Sequence, residues 1–109
     1  MMDSLRVLML LVLVHLLYDF HWQGQFVAEW KAKSEFIMAV HVLTWALLVL
    51  AVLYWLTGPV AAWKLAMLPI THYLTDTWKY RQKRLAPLGA ALYIDQGIHI
   101  VTLVMAVML

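Results

Sequence analysis

The chain has 109 residues, of which 65% are hydrophobic and only 13% are charged, and its mean hydropathy is +0.81. A soluble domain is usually about half apolar and a quarter charged, and one this small has too little interior to bury so much apolar surface. The net charge of +2 gives no reason to expect a nucleic-acid partner, and the absence of cysteine excludes disulfides and thiolate metal sites. Because no linker-like segment interrupts the chain, the composition predicts a single integral membrane domain over residues 1–109.

Four membrane spans can be placed along the chain, since one span needs about 17–25 mostly apolar residues. The first covers about residues 5–22. The stretch 36–63 contains no Asp, Glu, Lys or Arg, but Thr57-Gly58-Pro59 divides it, because Gly followed by Pro ends one helix and can open the next. The other three spans are therefore about 34–57, 59–78 and 87–109. We predict an all-α, four-helix transmembrane bundle with polar connectors at residues 23–33 and 79–86.

The start of the first span resembles a signal peptide, because Arg6 precedes an apolar run. No small-x-small cleavage site follows it, however, and the apolar run itself carries His15 and Asp19. We therefore expect this segment to remain in the protein as a membrane helix.

Lys and Arg are distributed unequally between the two sides of the predicted bundle. Arg6 and Lys64 lie on one side, and six basic residues lie on the other: Lys31, Lys33, Lys79, Arg81, Lys83 and Arg84. The positive-inside rule then predicts a multi-pass inner-membrane (cell-membrane) protein with both connectors in the cytoplasm and both termini outside. The last four of these residues also form a basic run that could attract an anionic lipid head group, although a topology signal is the favoured explanation of the run.

Ionisable residues occur in all four spans at a common depth. The seven residues are His15, Asp19, His41, His72, Asp76, Asp95 and His99. At about 1.5 Å per residue, most of them lie on the order of 10 Å below the cytoplasmic interface. Three His and Asp pairs are spaced four residues apart, so each pair shares one helix face and can point towards the bundle axis. Because a charged group facing lipid is costly, such residues normally face the protein interior and indicate a functional site.

The same residues form an internal repeat. His15-Leu-Leu-Tyr-Asp19 resembles His72-Tyr-Leu-Thr-Asp76, and in each half another His follows on the next helix, 26 or 27 residues after the first. Each half would then be one helical hairpin. Two parallel hairpins related by a pseudo-two-fold axis along the membrane normal would bring the two sets together. Asp95 has no counterpart in the first half, so the site would be asymmetric.

Neutral imidazole and carboxylate groups together suit Zn, Mn or Fe, and metal ligands in helix bundles converge from facing helices. We therefore predict a divalent-metal site built from all seven residues, with Zn favoured over Mn and Fe. Asp95 and Asp19 are the candidate general bases. A bound ion would lower the pKa of a bound water and polarise a phosphoryl or carbonyl oxygen, which predicts a metal-dependent hydrolase of a lipid or phosphoester.

Two other classes of function explain the same pattern. His and Asp chains in membranes relay protons, so the protein is alternatively a module for proton or metal-ion transport. A bundle of this size would then need to form a homo-oligomer to provide a pathway. His and Asp pairs also make hydrogen bonds between helices, so a structural membrane partner protein is the third interpretation.

The residues that carry a family resemblance extend over nearly the whole chain. They are His15-Leu-Leu-Tyr-Asp19-Phe20, Gln25, Lys31-x-Lys33-Ser34, His41, His72-x-x-x-Asp76 and Asp95-Gln96-x-x-His99. In this pattern the sequence resembles a family of small bacterial and phage membrane proteins classed as domain of unknown function 3307. The resemblance implies a four-helix inner-membrane protein and supplies no activity. A looser likeness, at the level of fold alone, is to membrane-bound metal-dependent hydrolases, which also place His and Asp within apolar helices.

Overall fold

The computed structural model describes residues 3–81 and 89–109, and most of these residues are helical. α1 continues without a break into a π-helix. The helices are α1 (Ser4–Leu17), the π-helix (Tyr18–Trp22), α2 (Gln25–Trp30), α3 (Glu35–Thr57), α4 (Ala62–Tyr80) and α5 (Ala90–Met108). The described residues contain no strand, so the all-α prediction is confirmed.

Side-chain caps explain where two of the long helices begin. The Asp3 carboxylate accepts a hydrogen bond from the backbone N–H of Arg6 at 2.9 Å, and this cap starts α1. The Ser34 hydroxyl accepts one from the backbone N–H of Ile37 at 3.3 Å, and this cap starts α3. Both starts lie within one residue of the predicted span boundaries.

The predicted break between the second and third spans is present. α3 ends at Gly58, whose φ of +88° is readily adopted only by glycine. α4 begins at Ala62 rather than at the predicted Pro59, because Ala61 is still extended, with φ −61° and ψ 142°. A tight connection therefore joins two helices that run in opposite directions.

The first connector contains more regular structure than the sequence predicts. We expected only a polar segment at residues 23–33, but α2 lies there, separated from the π-helix by Gly24 with φ +85°. Phe26 and Trp30, one helical turn apart, are both exposed, and their ring centroids are 6.3 Å apart. A short helix with an exposed aromatic pair beside a basic segment is typical of a helix lying at a membrane interface.

The four long helices form a bundle in which α1 packs against α3 and α5, and α4 packs against the same two helices. α1 is therefore diagonal to α4, and α3 is diagonal to α5. This is the arrangement that two parallel hairpins related by a pseudo-two-fold axis require, and it places equivalent helices of the repeat opposite each other.

Three helices of the described chain are long and apolar enough to cross a membrane, namely Ser4–Trp22, Glu35–Thr57 and Ala90–Met108. α4 is more polar because it carries Lys64, Asp76 and Lys79, but the last two of these are buried inside the bundle. The outer surface, in contrast, exposes many large apolar side chains, including Leu13, Leu47, Ile70, Leu74 and Val101. A polar interior and an apolar exterior are compatible with a bilayer around the bundle.

The bundle interior is divided into an apolar part and a polar part. The apolar core lies towards the end that contains Gly58, and it includes Val7, Leu11, Trp45, Val49, Leu53, Leu68, Leu103 and Ala106. The polar part lies at the opposite end, where the π-helix, the start of α3, the end of α4 and the start of α5 meet.

Candidate functional site

The structure brings all seven of the predicted site residues into one buried layer. Six of them have no exposed surface, and the seventh, Asp19, is only 7% exposed. The six are His15, His41, His72, Asp76, Asp95 and His99. The common depth inferred from the sequence therefore corresponds to a cluster in the interior, and none of these side chains lies on the outer surface of the bundle.

Asp76 lies at the centre of the cluster. Its Oδ2 atom is 3.0 Å from the Nε2 atom of His41 and 3.4 Å from that of His72. Its Oδ1 atom is 2.9 Å from the Nε2 atom of His99. One carboxylate thus contacts three imidazoles from three different helices, and Lys31 approaches it with Nζ 3.8 Å from Oδ2.

Asp95 forms a second polar centre on α5. Its Oδ1 atom is 3.1 Å from the Nε2 atom of His99, one turn further along the same helix. Lys79 donates to its Oδ2 atom at 3.1 Å, and Gln96 donates to the same oxygen at 2.9 Å. Asp95 is therefore held between a buried ammonium group and a neighbouring amide.

A chain of hydrogen bonds fixes the orientation of His15. The Trp45 indole N–H can only donate, and it lies 3.0 Å from Nδ1 of His15, so this nitrogen must accept. In the neutral ring the proton is then on Nε2, which donates to Oε1 of Gln96 at 2.8 Å. The Gln96 amide in turn donates to Asp95 and, at 3.4 Å, to Asp19. Both ring nitrogens of His15 are thus engaged.

Two of the remaining imidazoles, those of His72 and His99, form a stack with Trp45. The ring centroids of His72 and His99 are 3.9 Å apart with an interplanar angle of 16°, and those of Trp45 and His72 are 4.2 Å apart at 26°. Tyr18 covers His41 with a centroid separation of 5.6 Å. This packing fixes the ring planes, and the Nε2 atoms of all three His residues face carboxylates.

Several buried polar atoms of the cluster have no hydrogen-bond partner among the described residues. They are Oδ1 of Asp19 and the Nδ1 atoms of His41, His72 and His99, while Oδ1 of Asp95 has only the Nε2 atom of His99 at 3.1 Å, a nitrogen that it shares with Asp76. A buried acceptor without a donor is costly, so the Asp19 oxygen is the one best suited to a cation. Because no bond holds Nδ1 of the three rings, each Nε2 atom can serve either as a donor or as a ligand.

Three groups of ligand atoms within the cluster could hold a metal ion. The groups are Asp19, His72 and His99; His41, His72 and Asp76; and Asp76, Asp95 and His99. In each group the three ligand atoms lie within 4.8 Å of one another. His15 belongs to none of these groups, although its Nε2 atom is 3.9 Å from Asp19. The individual ligand and general-base roles predicted from the sequence stay predictions.

The basic residues of the connectors lie in different environments. Lys31 and Lys79 are buried and pair with the carboxylates of the cluster, whereas Arg81 is exposed at the end of α4. Lys83 and Arg84, which complete the predicted head-group run, lie outside the described residues.

Four residues of the site were not assigned to it from the sequence: Lys31, Lys79, Trp45 and Gln96. Lys79 and Trp45 carry a usable signal, because Lys79 is one turn beyond Asp76 and Trp45 is one turn beyond His41. Gln96 is recognisable in the sequence only as the neighbour of Asp95. Lys31 has no such periodic relation, since it reaches the cluster from the segment that follows α2.

A known protein family matches most of the chain. The model of the family described as "Protein of unknown function (DUF3307)" matches residues 7–109. The chain belongs to this family. The match includes every residue of the cluster, so the resemblance stated from the sequence is confirmed. No curated protein and no solved structure matches the chain.

Proposed function

We propose that this protein binds a divalent transition metal, with Zn favoured over Mn or Fe, inside the cytoplasmic half of the inner membrane. We further propose that the metal supports hydrolysis of a phosphate- or acyl-containing membrane lipid. The observation that carries the proposal is the geometry of three converging ligand atoms, Nε2 of His41, Nε2 of His72 and Oδ2 of Asp76. Their separations are 3.1, 3.0 and 3.4 Å.

These separations match those expected around a tetrahedral ion. Zn bonds of about 2.0–2.1 Å at tetrahedral angles place ligand atoms about 3.3 Å apart. Two His residues and one carboxylate also form a donor set used by catalytic zinc, which keeps a fourth position for water or substrate. The group therefore fits the ion in both geometry and chemistry.

The charge of the cluster supports a bound cation. Three carboxylates, those of Asp19, Asp76 and Asp95, face two ammonium groups, those of Lys31 and Lys79. With neutral imidazoles, one negative charge stays uncompensated in a medium where unpaired charge is very costly. A divalent ion held by His41, His72 and Asp76 would supply positive charge near the unpartnered Oδ1 atom of Asp19, which lies 3.7 Å from the Nε2 atom of His41.

The reaction we propose is a hydrolysis without redox change. His41, His72 and Asp76 would hold the ion, which would supply Lewis-acid activation of the phosphoryl or carbonyl oxygen and of the attacking water. The water oxygen forms a bond to phosphorus or carbon, and the ester bond to the leaving alcohol breaks. Asp95 or Asp19 takes the proton from the water and returns it to the alcohol.

Transport through a single copy of the bundle is less well supported, because the polar layer is closed on its far side. Immediately beyond the imidazoles, the described interior consists of Leu11, Trp45, Val49, Leu68 and Leu103, each with no exposed surface. The two buried lysines lie on the connector side of the layer. The charged groups that pair with the cluster thus come from one face only, which favours a binding or catalytic site over a pathway through the bundle.

Elemental analysis of detergent-purified protein tests the metal, and lipid cleavage with the loaded protein tests the reaction. We expect a stoichiometric divalent ion whose affinity falls below about pH 6, because imidazoles must lose their proton to coordinate. The exposed Gln25→Ala change serves as the control. If no ion is found and added Zn or Mn leaves thermal stability unchanged, the metal site is refuted and a proton relay becomes the leading interpretation. If the metal binds but no ester is cleaved, only the enzymatic part is lost.

A further inference from the structure

A polar pocket of about 370 Å³ lies between the start of α3 and the end of α4. Its polar lining includes Lys31, Lys33, Ser34, Thr77, Tyr80 and Arg81. Glu35 is the only acidic side chain among the lining residues, so three cationic groups outnumber it. Lysine, arginine and hydroxyl donors around one space are suited to the oxygens of a phosphate group.

An apolar groove of about 360 Å³ lies next to this pocket, deeper along the same two helices. It is lined by Val42, Leu43, Pro69, Ile70 and Leu74, with Ala39 and Tyr73 completing it. Tyr73 lines the polar pocket as well, so the two spaces adjoin at this residue. Leu43, Ile70 and Leu74 are more than half exposed, which leaves the groove open to the surrounding bilayer.

We infer that the cleft between α3 and α4 is a binding site for a lipid whose head group is a phosphate monoester. The polar pocket would hold the phosphate at the membrane interface, and the groove would hold a hydrocarbon chain at hydrocarbon depth. Along the cleft a polar surface is followed by an apolar one, just as the polar head group of such a lipid is followed by its hydrocarbon chain. The basic lining supplies the charge complementarity.

One residue, Lys31, connects the cleft to the candidate metal site. Lys31 lines the polar pocket, and its Nζ atom is 3.8 Å from the Asp76 carboxylate that would hold the metal. A phosphate on Lys31 would therefore lie beside the ligands of the ion. The inference names the substrate class of the proposed hydrolase and in that respect rests on it, but lipid binding itself requires no metal.

Binding can be measured by native mass spectrometry on the purified full-length protein in EDTA, with phosphatidic acid as the probe. Phosphatidylcholine with the same chains, oleic acid and inorganic phosphate are the comparison ligands. We expect phosphatidic acid to bind at least about tenfold more tightly than each of them. Equal binding of oleic acid would refute the phosphate preference, and equal binding of inorganic phosphate would refute the role of the groove.

Matched variants locate the site. Arg81→Gln and Lys33→Gln should each weaken phosphatidic acid binding about three- to tenfold. Lys64→Gln makes the same charge change beside Trp63, at the opposite end of the bundle, and should leave binding unchanged. Leu43→Trp fills the groove from an exposed position and should weaken lipid binding without lowering thermal stability. If these variants bind like the parent protein, or if the groove instead mediates dimer formation, the inference is wrong.

Failure of this inference and failure of the proposed function give different results. Lipid binding in EDTA together with an absence of bound metal would refute the metal site and leave the lipid site intact. A stoichiometric metal without any preference for phosphatidic acid would refute the lipid site and leave the metal site intact.

Discussion

The two copies of the repeat begin with the same His-x-x-x-Asp motif but have different environments in the folded bundle. In the second copy, Asp76 lies within 3.4 Å of three imidazole nitrogens. In the first copy, the Oδ1 atom of Asp19 approaches imidazole nitrogens no closer than 3.7 Å and has no hydrogen-bond partner among the described residues. Equivalent motifs thus give one central carboxylate and one peripheral carboxylate.

The difference originates in the helices that follow each motif. Trp45 on α3 is four residues after His41, and Leu103 is four residues after His99 on α5. Only the tryptophan can donate a hydrogen bond, and it does so to His15. His72 is the histidine of the second motif. Trp45 stacks on its ring without a hydrogen bond, and its Nε2 atom faces Asp76.

A second asymmetry comes from α5. Asp95 and Gln96 occupy the positions that Ile37 and Met38 occupy on α3. Gln96 binds His15 and thereby occupies the remaining ring nitrogen of the first motif. Trp45 on α3 and the Asp95-Gln96 pair on α5 therefore give the two similar motifs different surroundings.

The strongest way to test this comparison is to neutralise each carboxylate in turn. Asp76→Asn should abolish stoichiometric metal binding and lower the free energy of unfolding by about 3–5 kcal/mol, because Lys31 and the imidazoles lose their shared anion. Asp19→Asn should lower the free energy of unfolding clearly less and leave the metal bound, because the contacts of Asp19 with the imidazole nitrogens are longer than those of Asp76. Elemental analysis and thermal unfolding in detergent measure both effects. Equal losses in the two variants would show that the halves are equivalent.

The two histidines of the motifs should also differ, by a smaller amount. His72→Ala removes a proposed ligand and should weaken metal affinity by more than about 100-fold. His15→Ala removes the hydrogen bond that orients Gln96, and the loss of such an outer contact typically weakens metal affinity about 10- to 100-fold. Competition with a chelating dye measures both affinities, with Gln25→Ala as the control. A larger loss for His15→Ala would restore the ligand role predicted from the sequence.

The sequence predicts the helices and the depth of the cluster well, because both depend on local patterns. Apolar runs, Gly58 and the spacing of four between His15 and Asp19 are readable without a structure. The π-helix over Tyr18–Trp22 is not, since five-residue π-turns follow from tertiary packing more than from local composition. The chemical inequality of the two motifs is equally hidden, because it depends on which side chain of another helix meets each ring.

The burial of Lys31 and Lys79 shows a further limit of sequence reasoning. Counting basic residues near span ends predicts topology, and it assigns both lysines to the interface. In the bundle, both extend to the buried carboxylates and balance part of their charge. A basic residue near the end of a span can therefore both influence topology and pair with a buried carboxylate. Only the structure shows that Lys31 and Lys79 form such ion pairs, whereas Arg81 is exposed at the opening of the cleft.

The smallest expected effect concerns the hydrogen bond that makes His15 different from His72. Trp45→Phe keeps an aromatic ring stacked on His72 but removes the indole N–H, so Nδ1 of His15 becomes a buried acceptor without a donor. Such a loss costs about 1–3 kcal/mol, less than the loss of the Asp76 anion. Trp55→Phe, at a position that is 87% exposed, is the matched control for thermal unfolding. Nitrogen chemical shifts of the His15 ring should also move, because the proton is no longer confined to Nε2. If Trp45→Phe unfolds like the control and the ring signals stay in place, the hydrogen bond does not set the tautomer. The contrast between the two motifs would then need another cause.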